Sequence, residues 1–238
     1  MRLAIDTATD RASVAVRDAG GAIVERTLVG SRRHAAGLLP LILEALEAAG
    51  GGLEQVTALA VSDGPGSFTG LRVGATVAKA LVQARGLPLW TAPSLMVRAR
   101  GVARDGSTVL AVSNALRGEL YAAAYRFEGA AVREVLPPSV YRPDDLAARL
   151  APPDVLVGEA PPAAAERLAT WSGTQLIEPP EGAPHARALL ELMDQSAGAV
   201  LIESVRDWAP IYGRPAEAQA RWETAHGRSL PDSVGTPG

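Results

Sequence analysis

The segment Asp63-Gly64-Pro65-Gly66-Ser67-Phe68-Thr69-Gly70-Leu71-Arg72-Val73-Gly74 constrains this chain more than any other. It follows the apolar run Ala58-Leu59-Ala60-Val61 and opens a helical pattern that continues to about Arg85. A strand therefore ends, a glycine loop turns and a helix begins. Glycine permits positive φ angles and the close approach of another group. A helix start presents free N–H groups to anions. Two uses compete for such a loop: an anion cradle and a tight packing joint. No Gly-Lys-Ser/Thr closes it, so it is not a Walker A loop. Pro65 and Gly66 suit the central positions of a type II turn, with positive φ at Gly66. Ser67 or Thr69 is placed to cap the helix.

On that helix, Gly70, Gly74 and Ala78 fall at i, i+4 and i+8 and make one smooth stripe. Taken alone, the stripe fits close packing onto the chain's own sheet better than a subunit contact. The preceding helix, Ala35 to Ala49, is less ordinary. Its Leu38, Leu39, Leu41, Ile42, Leu43, Ala45, Leu46 and Ala48 spread over roughly 220° at ~100° per residue, whereas one core needs a stripe of only ~100°. Glu44 and Glu47 hold the remaining arc. The excess apolar surface points to a partner, or to burial of both sides within one domain. Pro40 removes one bond from this helix.

A β-β-β-α-β-α-β-α order is predicted for the first lobe. Its strands lie near Leu3–Asp6, Ala12–Arg17, Ala22–Leu28, Ala58–Val61 and Leu89–Thr91, and its last helix starts near Ser94. The polar break Arg104-Asp105-Gly106-Ser107 places the boundary, giving lobes of 1–104 and 105–226 and a flexible tail of 227–238. Strands near Val109–Ser113, Leu120–Phe127 and Val132–Leu136 repeat the opening β-β-β and suggest internal duplication. The pairs Pro137-Pro138, Pro152-Pro153, Pro161-Pro162 and Pro179-Pro180 read as turns, and a helix is predicted over Ala186–Gln195.

Several pieces together resemble the bacterial TsaB (YeaZ) family. The glycine segment is very similar to that family's signature. Ala4-Ile5-Asp6-Thr7-Ala8-Thr9 resembles its opening strand, and His34-Ala35-Ala36-Gly37-Leu38-Leu39-Pro40 its His then Leu-Leu-Pro segment. Pro93-Ser94-Leu95, Arg117-Gly118-Glu119-Leu120-Tyr121 and Tyr212-Gly213-Arg214 resemble later segments in the right order. The match is dense over residues 1–125 and sparse beyond. The resemblance implies an α/β fold of two lobes, the actin-like ATPase, sugar kinase and Hsp70 (ASKHA) type, with a degenerate nucleotide site.

It further implies a non-catalytic partner of TsaD, acting as scaffold or activator. With TsaE, such complexes form N6-threonylcarbamoyladenosine on the tRNA adenosine 3′ of the anticodon. It implies pairing with TsaD or with a second copy (a homodimer) through the first lobe, no membrane, and only indirect or weak contact with tRNA. No cofactor is expected to bind this chain independently; ATP or ADP would belong at the partner interface. The expected interface is Leu38, Leu39, Ile42 and Leu46 with Gly70, Gly74 and Ala78, beside the glycine loop of Gly64, Pro65, Gly66, Ser67, Thr69 and Gly70.

The rival reading is an independent ATPase or small-molecule kinase of the same fold type. ATP-using relatives cradle phosphate on an Asp-x-Gly-Thr hairpin in each lobe. Here the first site reads Asp6-Thr7-Ala8-Thr9, with Ala8 in the glycine position, and the second carries Asn114 where an acidic residue would hold magnesium. A neutral amide is a poor ligand for that hard cation. Gly158, followed by Glu159, is the single candidate for an adenosine-binding Gly-Gly. Asp6, Thr7 and Asn114 are thus at most a remnant of nucleotide contacts, and a strand-end Asp6 also serves by accepting local backbone N–H bonds.

Other chemistry finds little support. Cysteine is absent and the histidines are His34, His185 and His226, which excludes disulfides, thiol nucleophiles and a zinc-protease helix. His34 reads as a solvated or capping residue, and Ser67 has no base at a recognisable spacing. The net charge is −3 and the pI about 5.7, unlike a direct RNA binder. Arg32, Arg33, Arg98, Arg100 and Arg104 therefore read as a solvated face. Lys79, the single lysine, reads as a surface residue or as half of an ion pair across the interface. Trp208, Tyr212 and Trp222 read as anchors onto the second lobe. Apolar content of 47% supports a folded core, and no apolar run approaches the ~18 residues that span a bilayer. With no signal peptide in Met1 to Asp10, a cytoplasmic location is expected.

Overall fold

The structure, a computed structural model, describes residues 1–30, 33–116 and 118–212. Arg32, Arg117, Gly213, Arg214, Trp222, His226 and the tail 227–238 lie outside the described residues. The first lobe runs β1 (Arg2–Asp6), β2 (Arg11–Arg17), β3 (Ile23–Val29), α1 (His34–Ala48), β4 (Ala58–Ser62), α2 (Phe68–Arg85), β5 (Leu89–Ala92) and α3 (Ser94–Val102). The second lobe adds β6 (Thr108–Leu116), β7 (Glu119–Glu128), β8 (Ala131–Tyr141), α4 (Pro143–Arg149), β9 (Val155–Gly158), α5 (Pro162–Ser172) and β10 (Leu176–Ile177). The chain ends its described course with α6 (Ala186–Leu192) and β11 (Val200–Leu201).

Both sheets are wound alike. The first has the order β11-β5-β4-β1-β2-β3 and the second β10-β9-β6-β7-β8. In each, three strands form an antiparallel meander, and the first of them pairs in parallel with the fourth. The duplication suggested by the repeated strands is thus present as topology.

Strand alternation sorts the side chains into layers. From the first sheet, Leu3, Ile5, Val14, Val16, Leu59 and Val61 pack outward against α1 and α2. From the second, Leu110, Val112, Leu120 and Leu156 pack outward with Leu146 of α4 and Leu168 of α5. The inner faces carry small residues: Ala4, Ala15, Ala60 and Ala92 on one sheet, Ala111 and Ala123 on the other. α3 and α6 lie between the sheets against these alanines. Alanine lets a helix come close to a strand, since its side chain adds one methyl group to the backbone surface.

The lobe break near residue 104 falls in the turn between α3 and β6. Towards the C-terminal end of the described residues the chain returns to the first sheet: α6 packs on β1, β2 and β4, and β11 joins β5. The C-terminal aromatics are corrected: Trp208 packs on the first-lobe core, and Tyr212 on Phe68 of α2.

Candidate functional site

The glycine loop joins three elements. Gly64 carries the positive φ, +106°, and Gly66 does not, so the type II turn with positive φ at Gly66 is not formed. Gly64 N–H donates to Ser94 Oγ at 3.1 Å, and Ser94 N–H donates back to the Gly64 carbonyl at 2.7 Å. Gly66 faces the Ala8 carbonyl, which Ser67 N–H reaches at 2.7 Å. Ser67 Oγ accepts from Gly70 N–H at 3.2 Å and caps α2; exposed Thr69 does not serve as the cap. A Cβ on Gly66, Gly70 or Gly74 would come within 3.0 Å of Ala8 O, Thr7 O or Thr7 Oγ1 respectively. The glycines therefore seat α2 on the β1–β2 turn. The packing joint, rather than the anion cradle, is what these distances describe.

Most of the expected partner residues are covered within the chain itself. Gly70, Gly74 and Ala78 are buried against the chain's own turn and sheet, and Leu38, Ile42 and Leu46 are core residues at 0–1% exposure. The wide arc of α1 has two sides because the helix packs on β2, β3 and α2 together. The large apolar residues left outside are Leu39 and Leu43, 48% and 47% exposed. Half-buried Val73, Val77 and Leu81 of α2 complete an open α1–α2 surface. His34 is likewise not solvated: its ring is fully buried, with Nε2 3.1 Å from the Asp10 carbonyl.

A polar cluster lies where strands of both sheets end, the usual ligand position in α/β folds. Asp6, at the end of β1, is fully buried, and its Oδ1 accepts from Ala8 N–H at 3.1 Å. Burial pushes its pKa up to about 6, against the Ser62 hydroxyl, the Ala8 amide and the charges of Arg98 and His185. Burial also raises Asp63 to about 6, with Thr91 opposing. Asn114 sits at an irregularity of the β6–β7 ladder, paired with Leu120. Thr7 is buried against α2.

Sequence reasoning missed the centre of this cluster. Arg98 of α3 is 3% exposed and donates from Nη2 to Glu159 Oε1 at 3.2 Å. Burial pulls its pKa down, while Glu159 and Asp6 hold it up. Its Nη1, without a hydrogen-bond partner among the described residues, would lie 3.0 Å from a Cβ on Gly158, whose φ is +134°. The guanidinium thus pairs with Glu159, just beyond β9, and its charge acts on Asp6 at the end of β1. It packs against Gly158. Arg100, also read as solvated, pairs with Glu191 of α6 at 3.0 Å. The signal for Arg98 was an arginine among Leu95, Val97 and Ala99 on a helix whose other faces are buried.

Beside the cluster, His185 Nδ1 lies 3.6 Å from Glu25 Oε2 of β3, and its Nε2 3.2 Å from the Pro180 carbonyl. The bond to Glu25 raises the histidine pKa. Among the described residues, no three acidic or histidine side chains gather to hold a metal ion, and no helix is long and apolar enough to cross a membrane.

A family model described as TsaD, tRNA N6-adenosine threonylcarbamoyltransferase, matches residues 16–180. The tRNA threonylcarbamoyladenosine biosynthesis protein TsaB of Escherichia coli K12 is 40% identical over 126 residues, covering 52% of this chain and 54% of that one. TsaB of Bacillus subtilis is 26% identical over 135 residues, covering 57% and 59%. The chain spans about half the length of the curated relatives it matches. A Pseudomonas aeruginosa protein with similarity to peptidase YeaZ superposes with a TM-score of 0.74 at 28% identity, over 90% of this chain and 99% of the other. YeaZ from the same organism gives 0.70 at 28% identity, over 89% and 98%. The fold is of the actin-like ATPase type, as the resemblance implied.

Proposed function

The chain belongs to the TsaD family, on its TsaB (YeaZ) branch, and from that premise we propose that it serves tRNA threonylcarbamoyladenosine biosynthesis as a non-catalytic partner of TsaD. The observation that carries this reading is the superposition on YeaZ from Pseudomonas aeruginosa over 89% of the chain, with 40% identity to TsaB of Escherichia coli over about half of it. Ala8 in the glycine position of the first phosphate hairpin and Asn114 in place of an acidic residue disfavour the independent ATPase or kinase. A peptidase finds no nucleophile in the glycine loop either, since Ser67 is committed to capping α2.

The function then lies in a surface. Leu39 and Leu43 of α1 with Val73 and Val77 of α2 offer an apolar strip to a helix of TsaD, or to a second copy of this chain when TsaD is absent. A specific interface there would bury roughly 1,200–2,000 Å². TsaE and tRNA are engaged through the complex, and ATP or ADP belongs to the partner interface. The mechanism is positional: α1 and α2 are held rigidly by the sheet behind them and the Thr7–Ala8 turn, and the rigid pair orients TsaD.

The test is solution mass by light scattering, for the chain alone and mixed with TsaD. A one-to-one complex that is lost in Leu39→Asp/Leu43→Asp, with the variant's circular dichroism unchanged, supports the reading. A wild-type chain that ignores TsaD overturns it.

A further inference from the structure

We propose that residues 202–212 form a strap, latched by Lys79, that covers one edge of α2 and is displaced when TsaD docks. The inference rests on the docking face just described. After β11, Ile202 N–H donates to the Leu89 carbonyl at 2.8 Å. The chain then runs without further strand or helix back to the glycine loop. There Ile211 N–H donates to the Asp63 carbonyl at 2.6 Å, and the Ile211 carbonyl packs against Gly64, where a Cβ would collide with it.

Between these two pins the strap is held by side chains of α2. The Lys79 ammonium stands 5.6 Å from the Trp208 ring centroid, and Nζ donates to the Arg206 carbonyl at 3.3 Å. The Tyr212 ring lies 4.7 Å from that of Phe68, and the Arg72 guanidinium 4.9 Å from the same Phe68 ring. Phe68, Arg72 and Lys79 share one edge of the helix, within about 40° at ~100° per residue. Val73 and Val77 lie round the helix from that edge. One edge is therefore open for docking and the other is under the strap.

The strap is lightly seated. Glu203, Ser204, Arg206, Asp207, Ala209 and Ile211 are exposed. Ile202, Val205 and Trp208 pack, half-buried, on the core, and Pro210 is buried beside the Ile211 pin. With the strap away, the docking face widens to include an aromatic ring and two cations. The segment of TsaD that replaces the strap is accordingly acidic, answering Arg72 and Lys79.

Lys79 is the single lysine, so brief acetylation with an N-hydroxysuccinimide ester reads the latch by peptide mass, with the Met1 amine as internal reference. Cation–π and hydrogen-bond contacts of this kind shift an opening equilibrium by about tenfold. Trp208→Ala is expected to speed Lys79 acetylation about tenfold. Lys79→Gln is expected to speed amide exchange over 203–211 by a similar factor, with exchange in β1 and β4 unchanged. Adding TsaD to the wild-type chain is expected to raise exchange over 203–211 while protecting Lys79 from acetylation. Unchanged exchange over 203–211 in both variants overturns the latch. A bound TsaD that leaves this exchange unaltered overturns displacement. Absence of TsaD binding removes the docking reading and displacement with it, while the variants still judge the latch.

Discussion

Gly74 of α2 lies directly against Thr7 of the β1–β2 turn: a Cβ on Gly74 would come within 3.0 Å of Thr7 Oγ1, while Thr7 Cβ would stand at 3.5 Å. Gly70, one turn earlier, faces the Thr7 carbonyl instead. The two glycines meet the same residue through different atoms, and this separates their rescue. Gly74→Ala is expected to cost about 1–3 kcal/mol through overpacking, and Thr7→Ala should restore most of it. Gly70→Ala should cost as much and not be restored, because the opposing atom is backbone. Urea unfolding of the four variants decides this; equal rescue of both would show that the turn moves as a unit.

Asp6 sets a pH dependence. Its folded pKa, about 6, stands above the ordinary 3.8. Its contribution to stability is therefore fully present below pH 3.8 and lost as the pH rises to about 6. Asp6→Asn keeps an acceptor for the Ala8 amide and removes the buried charge. Its unfolding free energy relative to wild type should improve across that window by up to about 3 kcal/mol, and stay level above it. Urea titrations at pH 4 and pH 8 measure the difference; a difference independent of pH would place the carboxyl in water.

The Arg98 cluster predicts non-additivity. Arg98→Met strands Asp6 as an uncompensated buried charge, whereas Glu159, 44% exposed, rehydrates. The single change is expected to cost about 3 kcal/mol at pH 7.5. Combining it with Asp6→Asn should recover much of that loss, giving a coupling of about 1–3 kcal/mol. Additive effects in the cycle would show that the guanidinium and the carboxylate do not feel each other.

α1 carries two kinds of leucine-like position. Ile42 is fully buried, whereas Leu39 and Leu43 are about half exposed. Ile42→Asp should cost 3 kcal/mol or more, in the range for an unpaired buried charge. Leu39→Asp and Leu43→Asp should each stay within about 1 kcal/mol. Melting temperatures of the three variants sort them; a large loss for Leu43→Asp would mean that this strip is covered within the chain itself.

The strands and helices of the first lobe were legible because their periods are strong and their ends are marked. Gly86 at φ +64° closes α2, and Ser67 opens it. Proline misled the reading of the second lobe. Pro162 begins α5, where the missing N–H costs nothing, rather than making a turn. Pro137 and Pro138 lie inside β8, the edge strand of the second sheet. The return of α6 and β11 to the first sheet rests on contacts far apart in the chain, which no local pattern encodes. The same holds for the site: the glycine loop was visible, but its target, the Thr7–Ala8 turn, was not. Arg98 resembled a surface arginine until α3 was seen to lie between two sheets.

The alanine-faced first sheet has a consequence during synthesis. α6, which covers it, is about 90 residues downstream of α3, so at ribosomal rates the bare face waits roughly 5–20 s for its lid. Leucine there would offer a sticky surface to any passing chain. Ala4, Ala15, Ala60 and Ala92 expose little hydrocarbon in that interval, and a face chosen for close packing in the finished protein is also a quiet one in the nascent chain.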